Sequence, residues 1–378
     1  MKYFLIAGEA SGDMHAARLM AALRQCDAEA TFAGLGGDKM QAEGCKLYRH
    51  YAKMAYMGYV AVLLHIKDIR TNIRITEQAL LSEQPDELIL IDYPGFNLHM
   101  AKFAKRHLPK TKITYYIPPK VWAWKRWRVH TIGKYCDCIL GIFPFEPDFY
   151  AGYGYTCKYV GNPTAESVAD YLQSSAIVEV ADRKPYVALL PGSRRHEIND
   201  CLPKMLSAAV QVREKCPNIQ RIVVTQAPGI ERDLYERLCA GYEQVELTEN
   251  TYDAVRHAAA AVVNSGTATL ETALIGCPQV AVYHLAFGHV LGLLRPLMFR
   301  IPHFTLVNII AGREVIRELL VYEFTVEATR DELLRLLTDT GYAQQMRAGY
   351  EQVRQILGNA RAAENAAKEI TSGQHPAG

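Results

Sequence analysis

Asp92 is the residue whose type and position best fit acid–base chemistry. It follows the apolar run at residues 88–91, which is typical of a buried strand, and it precedes a Tyr-Pro-Gly turn at 93–95. A carboxylate at the carboxyl end of such a strand is well placed to take a proton from a hydroxyl nucleophile. An aspartate before a proline also commonly begins a turn, so a purely structural role stays open.

A second acidic turn follows the first apolar run of the chain. It reads Gly-Glu-Ala-Ser-Gly-Asp and carries Glu9, Ser11 and Asp13. Because the carboxyl ends of parallel strands meet at one edge of a sheet, we expect this turn to lie at the same edge as Asp92. Its side chains could bind or orient an acceptor, or they could simply cap a helix. We include Glu9 and Ser11 with Asp92 as candidate catalytic residues.

The second half of the chain contains a loop suited to phosphate. An apolar run at 258–263 is followed by Asn-Ser-Gly-Thr at 264–267 and then by a helical pattern. A helix start built from small residues leaves backbone N–H groups pointing outward, where the helix dipole favours negative charge. Glu271, one turn further on, could accept hydrogen bonds from ribose hydroxyls, although ordinary capping explains the same residues. The candidate pyrophosphate-binding residues are Ser265, Gly266 and Thr267.

Two further loops follow predicted strands of the same half. After the run at 186–190, glycine allows close approach to a ligand, and the arginine that follows can offer a two-pronged contact to phosphate oxygens. A turn with a solvated arginine is the alternative. A loop at 225–229 is expected at the same edge, near the base of a nucleotide. The candidate residues of these loops are Gly192, Ser193, Arg194 and Gln226.

Composition and charge narrow the function classes. Lys and Arg number 42 against 40 Asp and Glu, a balance of +2 that does not favour nucleic acid. The first turn lacks the Gly-x-Gly-x-x-Gly spacing of dinucleotide sites, so NAD binding is disfavoured. Nine scattered cysteines suggest no zinc site, and without a secretory signal they predict reduced cytosolic thiols.

Strand and helix patterns alternate twice along the 378 residues, which predicts an α/β fold. We expect two Rossmann-like domains whose parallel sheets face each other across a cleft, with a hinge near 159–163. The expected domains are 1–161, 162–340 and a C-terminal helical segment, 341–378, that packs back on an N-terminal domain. The expected strands are 3–7, 30–35, 88–91, 112–117, 138–143, 186–190, 221–225, 245–247, 259–263 and 279–282.

The segment from Met57 to Arg74 mixes a broad apolar surface with basic residues. A basic amphipathic helix of this kind can lie in a membrane interface, although packing on the sheet is the commoner use. All three tryptophans fall at 122–127, a cluster suited to a lipid interface, to a cleft wall or to stacking on bases. The sequence contains no uninterrupted run of about 18 apolar residues, so no membrane-spanning helix is predicted.

Taken together, the motifs resemble those of the lipid-A-disaccharide synthase family. They occur in the family's order over about residues 1 to 360. The matching segments are 8–13, 40–44, 57–58, 91–97, 121–124, 143–146, 190–194, 265–271 and 308–314. The chain departs from the family at Gly95, where many members have a second acid, and at Ala10, where a threonine is usual.

The resemblance implies a GT-B inverting glycosyltransferase at the cytoplasmic face of a Gram-negative inner membrane. Such enzymes join UDP-2,3-diacylglucosamine to 2,3-diacylglucosamine 1-phosphate, forming a β(1→6) disaccharide 1-phosphate and releasing UDP. Asp92 matches the family's essential aspartate. Other functionally sensitive family positions match Glu9, Ser11, Arg194, Glu271 and Asn308. The resemblance also favours lipid docking by the segment from Met57 to Arg74, because two acylated sugars must reach one site.

These observations give one mechanism to test and two alternatives. In the mechanism, Asp92 takes the proton of the acceptor 6-hydroxyl, while Arg194 and the helix start at 265–269 stabilise the UDP leaving group. No metal or other cofactor is expected, because no Asp-x-Asp pair follows a strand. Asp92 could instead orient the acceptor. The alternatives are a UDP-sugar 2-epimerase and a non-catalytic UDP-sugar-binding protein, and a homodimer stays open.

Overall fold

The computed structural model describes residues 1–54, 66–174, 185–283 and 303–372. The chain folds as two compact units. The first unit consists of Met1–Pro163 together with Asn359–Gly378, and the second unit is Thr164–Gly358. Each unit is built on its own parallel β-sheet.

The first unit contains a seven-stranded parallel sheet in the order β3-β2-β1-β4-β5-β6-β7. Its strands are β1 (Lys2–Ala7), β2 (Thr31–Gly36), β3 (Lys46–His50), β4 (Glu87–Ile91), β5 (Lys112–Tyr116), β6 (Cys138–Gly141) and β7 (Lys158–Tyr159). Its helices are α1 (Ala10–Cys26), α2 (Asp38–Ala42), α3 (Ile66–Glu83), α4 (Pro94–His107), α5 (Arg128–Tyr135) and α6 (Glu146–Ala151), and a 3-10 turn spans Tyr51–Lys53.

The central strands are apolar on both sides because helices cover both faces of the sheet. Along β1, Tyr3 and Leu5 belong to one core cluster, whereas Phe4 and Ile6 belong to the other. Such alternation is the period of two expected of a strand. The sheet edge at the carboxyl ends of the strands is therefore held between two packed layers.

The end of the chain belongs to the first unit. Helix α15 (Ala362–Ser372) packs against α1, and its Ala366 and Ile370 are fully buried in the same cluster as Leu19. The Asn365 amide donates to the Val160 carbonyl at 3.1 Å. The expected segment 341–378 is thus divided between the units, because residues up to Gly358 lie in the second unit.

The second unit contains a six-stranded parallel sheet in the order β10-β9-β8-β11-β12-β13. Its strands are β8 (Tyr186–Leu190), β9 (Arg221–Thr225), β10 (Val245–Thr248), β11 (Ala260–Asn264), β12 (Gln279–Tyr283) and β13 (Arg317–Leu320). The helices that follow residue 162 are α7 (Pro163–Ser174), α8 (Arg195–Lys215), α9 (Arg232–Cys239), α10 (Thr251–Arg256), α11 (Thr267–Ile275), α12 (Leu306–Ala311), α13 (Val326–Thr338) and α14 (Thr340–Leu357).

The ten expected strands are confirmed, with ends that differ by one or two residues. Strands β3, β7 and β13 were not predicted. Each of them lies at a sheet edge. Edge strands are short and carry charged residues, so they lack the continuous apolar run that identifies a buried strand.

The first half of the predicted lipid-docking segment from Met57 to Arg74, residues 57–65, lies outside the described residues. Its described part begins helix α3, where Lys67, Asp68 and Arg70 are exposed. Within the four described ranges, no helix is long and apolar enough to cross a bilayer.

Candidate functional site

Asp92 lies at the carboxyl end of β4 in an unusual backbone conformation. Its φ is 46° and that of Tyr93 is 45°, both in the left-handed region that side-chain-bearing residues rarely adopt. Ile117, at the end of the neighbouring strand β5, has a φ of 58°. Each such residue costs about 1–3 kcal/mol and persists only where its surroundings enforce it. Strain is therefore concentrated beside Asp92.

Two buried side chains hold this strained turn. The Asn97 amide donates to the Asp92 carbonyl oxygen at 2.7 Å and to the Ile91 carbonyl at 3.2 Å. The Tyr115 hydroxyl donates to the same Asp92 carbonyl at 2.7 Å. The Asp92 N–H donates to the Ile117 carbonyl at 3.2 Å. These contacts fix the main chain of Asp92 and therefore the point from which its side chain extends.

The electrostatic surroundings make Asp92 a stronger base than an ordinary aspartate. The residue is exposed, yet the surrounding protein partly desolvates its carboxylate, and this raises the pKa of Asp92. The Lys120 ammonium and the Tyr93 N–H lower the pKa in part. Desolvation likewise lowers the pKa of Lys120, and the Asp92 and Glu146 carboxylates partly counteract it. The charge of each of these two residues therefore shifts the pKa of the other.

Asp92 lines a cavity of about 280 Å³ within the first unit. Its wall is formed by the carboxyl ends of β4, β5 and β6 and by the start of α5. The wall includes Asp92, Ile117, Lys120, Trp124, Arg128 and Phe143. The volume is near the lower end of the range of about 300–1,000 Å³ typical of small-molecule sites. It fits one sugar-sized group rather than long acyl chains.

Glu146 braces the wall of this cavity. Its fully buried carboxylate accepts from the N–H groups of Ile142 at 2.8 Å and Phe143 at 2.9 Å, and from the Trp122 indole at 3.3 Å. Burial raises the pKa of Glu146 to about 7, and these donors oppose the rise. Glu146 thus ties the β6–α6 loop to the tryptophan segment, and both contribute residues to the cavity wall.

The turn that carries Glu9 and Ser11 lies beside Asp92, because β1 and β4 pair and Ala7 stands opposite Ile91. Glu9 is the N-cap residue of α1, and Ser11 is exposed. Asp13 has a structural role, since its buried carboxylate accepts from the N–H groups of Gly37 at 2.7 Å and of Lys39 and Met40 at 3.1 Å. These three donors belong to the start of α2.

Gly8 allows the first turn to approach Asp92. A methyl group at this position would stand 2.3 Å from the Tyr93 ring, closer than atoms can pack. We predict that Gly8→Ala lowers the free energy of unfolding by about 1–3 kcal/mol, as overpacked cores do. We also expect lower activity, because Tyr93 adjoins Asp92. Thermal unfolding and turnover measurements test both effects.

Gly95→Ala is the matched control. Nothing lies within 4 Å of a methyl group at Gly95, which is in the first turn of α4. Alanine is favoured over glycine in a helix by about 0.5–1 kcal/mol, so this variant should be neutral or slightly stabilised. Equal behaviour of the two variants would contradict a special requirement at Gly8.

In the second unit, the loop between β8 and α8 contains Gly192, Ser193 and Arg194. Gly192 has a φ of 124°, and a methyl group there would stand 2.6 Å from a Glu197 carboxylate oxygen and 2.7 Å from the Asn264 amide nitrogen. Glycine is therefore required here, and the loop lies against the end of β11.

Glu197 already engages this loop. One carboxylate oxygen accepts from the N–H groups of Ser193 at 3.0 Å and Arg194 at 3.3 Å, and the other accepts from the Arg194 guanidinium at 3.1 Å. The Arg194 side chain is nevertheless 54% exposed. The loop thus places an accessible arginine at the sheet edge while an internal carboxylate holds the main chain of the turn.

The second candidate loop follows β11. The Ser265 N–H donates to the Val282 carbonyl at 2.8 Å, and Gly266 and Thr267 are exposed at the start of α11. Among the described residues, no side chain caps this helix. The helix start is thus accessible, and its binding of a pyrophosphate stays a prediction.

Glu271 lies on the second turn of α11 and is half-buried. Its carboxylate accepts from the Tyr252 hydroxyl at 2.9 Å. Burial raises the pKa of Glu271, and the Tyr252 hydrogen bond partly opposes the rise. One carboxylate oxygen is therefore already engaged inside the unit.

Gln226 and Asn308 differ in what their amides can offer a ligand. Gln226 follows β9, is buried, and its side-chain oxygen lacks a hydrogen-bond partner among the residues described. The Asn308 oxygen accepts from the N–H groups of Val315 at 2.7 Å and Ile316 at 3.0 Å. The Asn308 nitrogen donates to the Ile316 carbonyl and the Glu318 carboxylate, both at 2.9 Å. Asn308 therefore supports the loop before β13.

Sequence reasoning did not identify Lys120, Asn97 or Tyr115 as part of the site. Lys120 follows β5 by a few residues, after Ile-Pro-Pro, so its position at a strand end was a usable signal. Asn97 and Tyr115 act through the main chain of Asp92, and a single sequence contains no sign of such contacts. Trp124 lines the cavity of the first unit, and the three alternatives for the tryptophan cluster stay predictions.

Comparisons with known proteins agree on one family. The family model described as lipid-A-disaccharide synthetase matches residues 3–371. A lipid-A-disaccharide synthase from Geobacter sulfurreducens is 36% identical over 371 residues, covering 97% of this chain and 95% of the relative. One from Myxococcus xanthus is 37% identical over 377 residues, covering 98% and 96%.

Solved structures share the fold at low sequence identity. The UDP co-structure of S. aureus MnaA has a TM-score of 0.68 at 13% identity, covering 99% of this chain and 96% of that one. CalG4, the calicheamicin glycosyltransferase, has a TM-score of 0.62 at 15% identity, covering 98% and 97%. The predicted class, α/β with two Rossmann-like domains of the GT-B type, is confirmed.

Proposed function

The chain belongs to the lipid-A-disaccharide synthetase family and is a glycosyltransferase of lipid A synthesis, and we propose that it joins UDP-2,3-diacylglucosamine to 2,3-diacylglucosamine 1-phosphate. The product would be the β(1→6) disaccharide 1-phosphate, formed with inversion, and UDP would be released. The observation that carries the proposal is the full-length family match combined with a base-like carboxylate, Asp92, in a sugar-sized cavity.

In this proposal the first unit binds the acceptor. Asp92 accepts the proton of the 6-hydroxyl as that oxygen attacks the anomeric carbon of the donor. The raised pKa of Asp92 supports this role, because a stronger base takes a proton more readily. Asn97 and Tyr115 hold the main chain from which this carboxylate extends, by hydrogen bonds to the Asp92 carbonyl. Glu9 and Ser11 are proposed to orient the acceptor from the adjoining turn.

The second unit is proposed to bind the UDP part of the donor. Arg194 and the exposed start of α11 would neutralise the diphosphate as the glycosidic bond breaks. Gly192 and Ser193 would let it approach the main chain, and the unpartnered oxygen of Gln226 would meet a donor on the base or the ribose. Glu271 is proposed to accept from the ribose hydroxyls, and Asn308 to support this edge indirectly.

Product analysis tests the proposal. Purified protein is incubated with the acylated donor and acceptor, and the products are identified by mass spectrometry. A tetraacyl disaccharide 1-phosphate and one equivalent of UDP are expected only when both substrates are present. Conversion of a UDP-sugar without acceptor would favour the epimerase alternative, and UDP-sugar binding without turnover would favour the binding-protein alternative. Full activity in a chelating buffer is expected, since we propose that no metal takes part.

We also propose peripheral contact with the cytoplasmic face of the inner membrane through the segment from Met57 to Arg74. Support comes from its basic and apolar composition and from the family's lipid-linked substrates. Co-sedimentation with anionic vesicles, reduced by replacing the three basic residues Lys67, Arg70 and Arg74 with glutamine, is the expected result. Unchanged sedimentation of that variant would exclude this segment as the electrostatic contact.

A further inference from the structure

The cavity that contains Asp92 also carries two cationic side chains. Lys120 follows β5 and Arg128 is the first residue of α5, and both line the same cavity as the Asp92 carboxylate. Within the cavity wall, two positive charges therefore face one negative charge. A mechanism that needs only a base does not account for this excess of positive charge.

Arg128 has hydrogen-bonding capacity that the fold does not use. Its guanidinium Nε is buried and has no hydrogen-bond partner among the described residues, and the guanidinium lies 5.6 Å from the centre of the Trp127 ring. The unpartnered Nε shows that the guanidinium is not fully used inside the fold, and Arg128 lines the cavity, where a ligand supplies acceptors to its accessible atoms. The guanidinium fork is well suited to phosphate oxygens.

We propose that Lys120 and Arg128 bind the phosphate monoester of the acceptor sugar and thereby select the phosphorylated acceptor. The inference rests on the proposed function, because it takes the acceptor to be a sugar phosphate whose hydroxyl is deprotonated by Asp92. The 1-phosphate is carried on C1 and the 6-hydroxymethyl group on C5, the two carbons that flank the ring oxygen, so both groups belong to the same side of one pyranose ring. A single sugar in this cavity can therefore place its hydroxyl at Asp92 and its phosphate at the two cations.

The charges in the cavity favour a phosphate over a neutral group. Two cations and one carboxylate line the cavity, and the Glu146 carboxylate behind the wall is only partly ionised near neutral pH, because burial raises its pKa to about 7. A phosphate monoester, which carries between one and two negative charges near neutral pH, offsets the net positive charge of this lining. The size of about 280 Å³ suits the sugar headgroup and leaves the acyl chains outside. The diphosphate of the donor has its own candidate loops in the second unit.

The test compares two acceptors, 2,3-diacylglucosamine 1-phosphate and the same sugar without its phosphate, with the full-length protein. Lys120→Met and Arg128→Met should each raise the KM for the phosphorylated acceptor by about 10- to 100-fold, the loss expected for a charged hydrogen bond. The KM for the unphosphorylated acceptor should stay within about twofold. The preference for the phosphorylated acceptor should therefore collapse. Both acceptors are compared at the same pH for each variant, so a change in the protonation of Asp92 affects the two KM values alike and cancels from their ratio.

Arg126→Met is the matched control, because Arg126 is exposed and lies in the same segment but does not line the cavity. It should keep the wild-type preference. Lys120→Arg keeps the charge and should retain most of the preference, which separates loss of binding from loss of folding. Thermal unfolding is measured for each variant. If Lys120→Met does not fold, Lys120→Arg is used in its place, and if Arg128→Met does not fold, Arg128→Lys is used. Arg128→Lys should lose part of the preference for the phosphorylated acceptor.

Two results would overturn the inference. The first is an unchanged ratio of the two KM values in both Met variants. The second is a rise in the KM for the donor with no change for the acceptor, which would assign the cations to the diphosphate. Failure of the proposed function looks different, since the wild-type protein would then form no disaccharide from either acceptor.

Discussion

Asp92→Asn should lower kcat by about 10²–10⁴-fold, the usual contribution of a general base. Asparagine has the same shape and tolerates the left-handed conformation that Asp92 adopts, so the strained turn and its main-chain hydrogen bonds from Asn97 and Tyr115 should survive. The affinity for UDP should stay unchanged, because the candidate nucleotide loops belong to the second unit. Steady-state kinetics and calorimetric titration with UDP measure the two quantities.

Asp148→Asn is the control for this variant. Asp148 is an exposed acid in the same unit, on the first turn of α6, and it does not line the cavity. Its replacement should change kcat by less than about twofold, since exposed surface substitutions have small effects. Near-wild-type turnover of Asp92→Asn with UDP binding retained would remove Asp92 as the base.

The pH profile gives an independent readout of the same residue. Asp92 must be deprotonated to accept a proton, so kcat/KM should fall as the pH is lowered through its pKa in the free enzyme. Desolvation raises that pKa, so the fall should occur above the value of about 3.9 for an ordinary aspartate. The positive charge of Lys120 lowers the pKa of Asp92. Lys120→Met should therefore move the acid limb to higher pH.

Arg194→Met should weaken UDP binding by about 10- to 100-fold, the loss expected when a charge-assisted contact to phosphate is removed. The exposed side chain lies at the carboxyl end of β8, next to the end of β11 and the open start of α11. Its ion pair with Glu197 is local, so the variant should remain folded. Calorimetric titration with UDP measures the effect.

Arg195→Met is the matched control for Arg194. The Arg195 guanidinium lies 2.6 Å from a Glu231 carboxylate, and both side chains are more than half exposed. Such a surface ion pair contributes about 0–1 kcal/mol, so the affinity for UDP should hardly change. Equal affinities of the two variants would exclude Arg194 as a diphosphate contact.

The sequence predicted the central strands correctly because the residues that make a strand apolar are the same residues that the tertiary structure buries. A parallel strand that is covered on both faces must be apolar throughout, so each central strand of the two sheets is visible as a short apolar run. The residues that follow such runs lie at the carboxyl edge of a sheet, and this places Asp92 and Arg194 correctly at strand ends. Edge strands β3, β7 and β13 lack that signal and were not predicted.

Side-chain pairing explains most of what the sequence missed. Lys120 stands 28 positions after Asp92, and it meets the same cavity because β4 and β5 are neighbours in the sheet. The amide of Asn308 could have bound a ligand as far as the sequence shows, but its four hydrogen bonds are made inside the second unit. Glu197 similarly engages the N–H groups of Ser193 and Arg194, in a loop that the sequence predicted to approach phosphate.

The sequence by itself therefore determined the α/β class, the order of the central strands along the chain and which loops carry chemically useful side chains. These features could be predicted because the apolar residue types of each strand indicate which strands are buried. Only the tertiary structure decided which loops meet, which polar groups are already used and how strongly each acid holds its proton. These properties depend on distances and desolvation between residues far apart in the chain, as the cavity shared by Asp92, Lys120 and Arg128 shows.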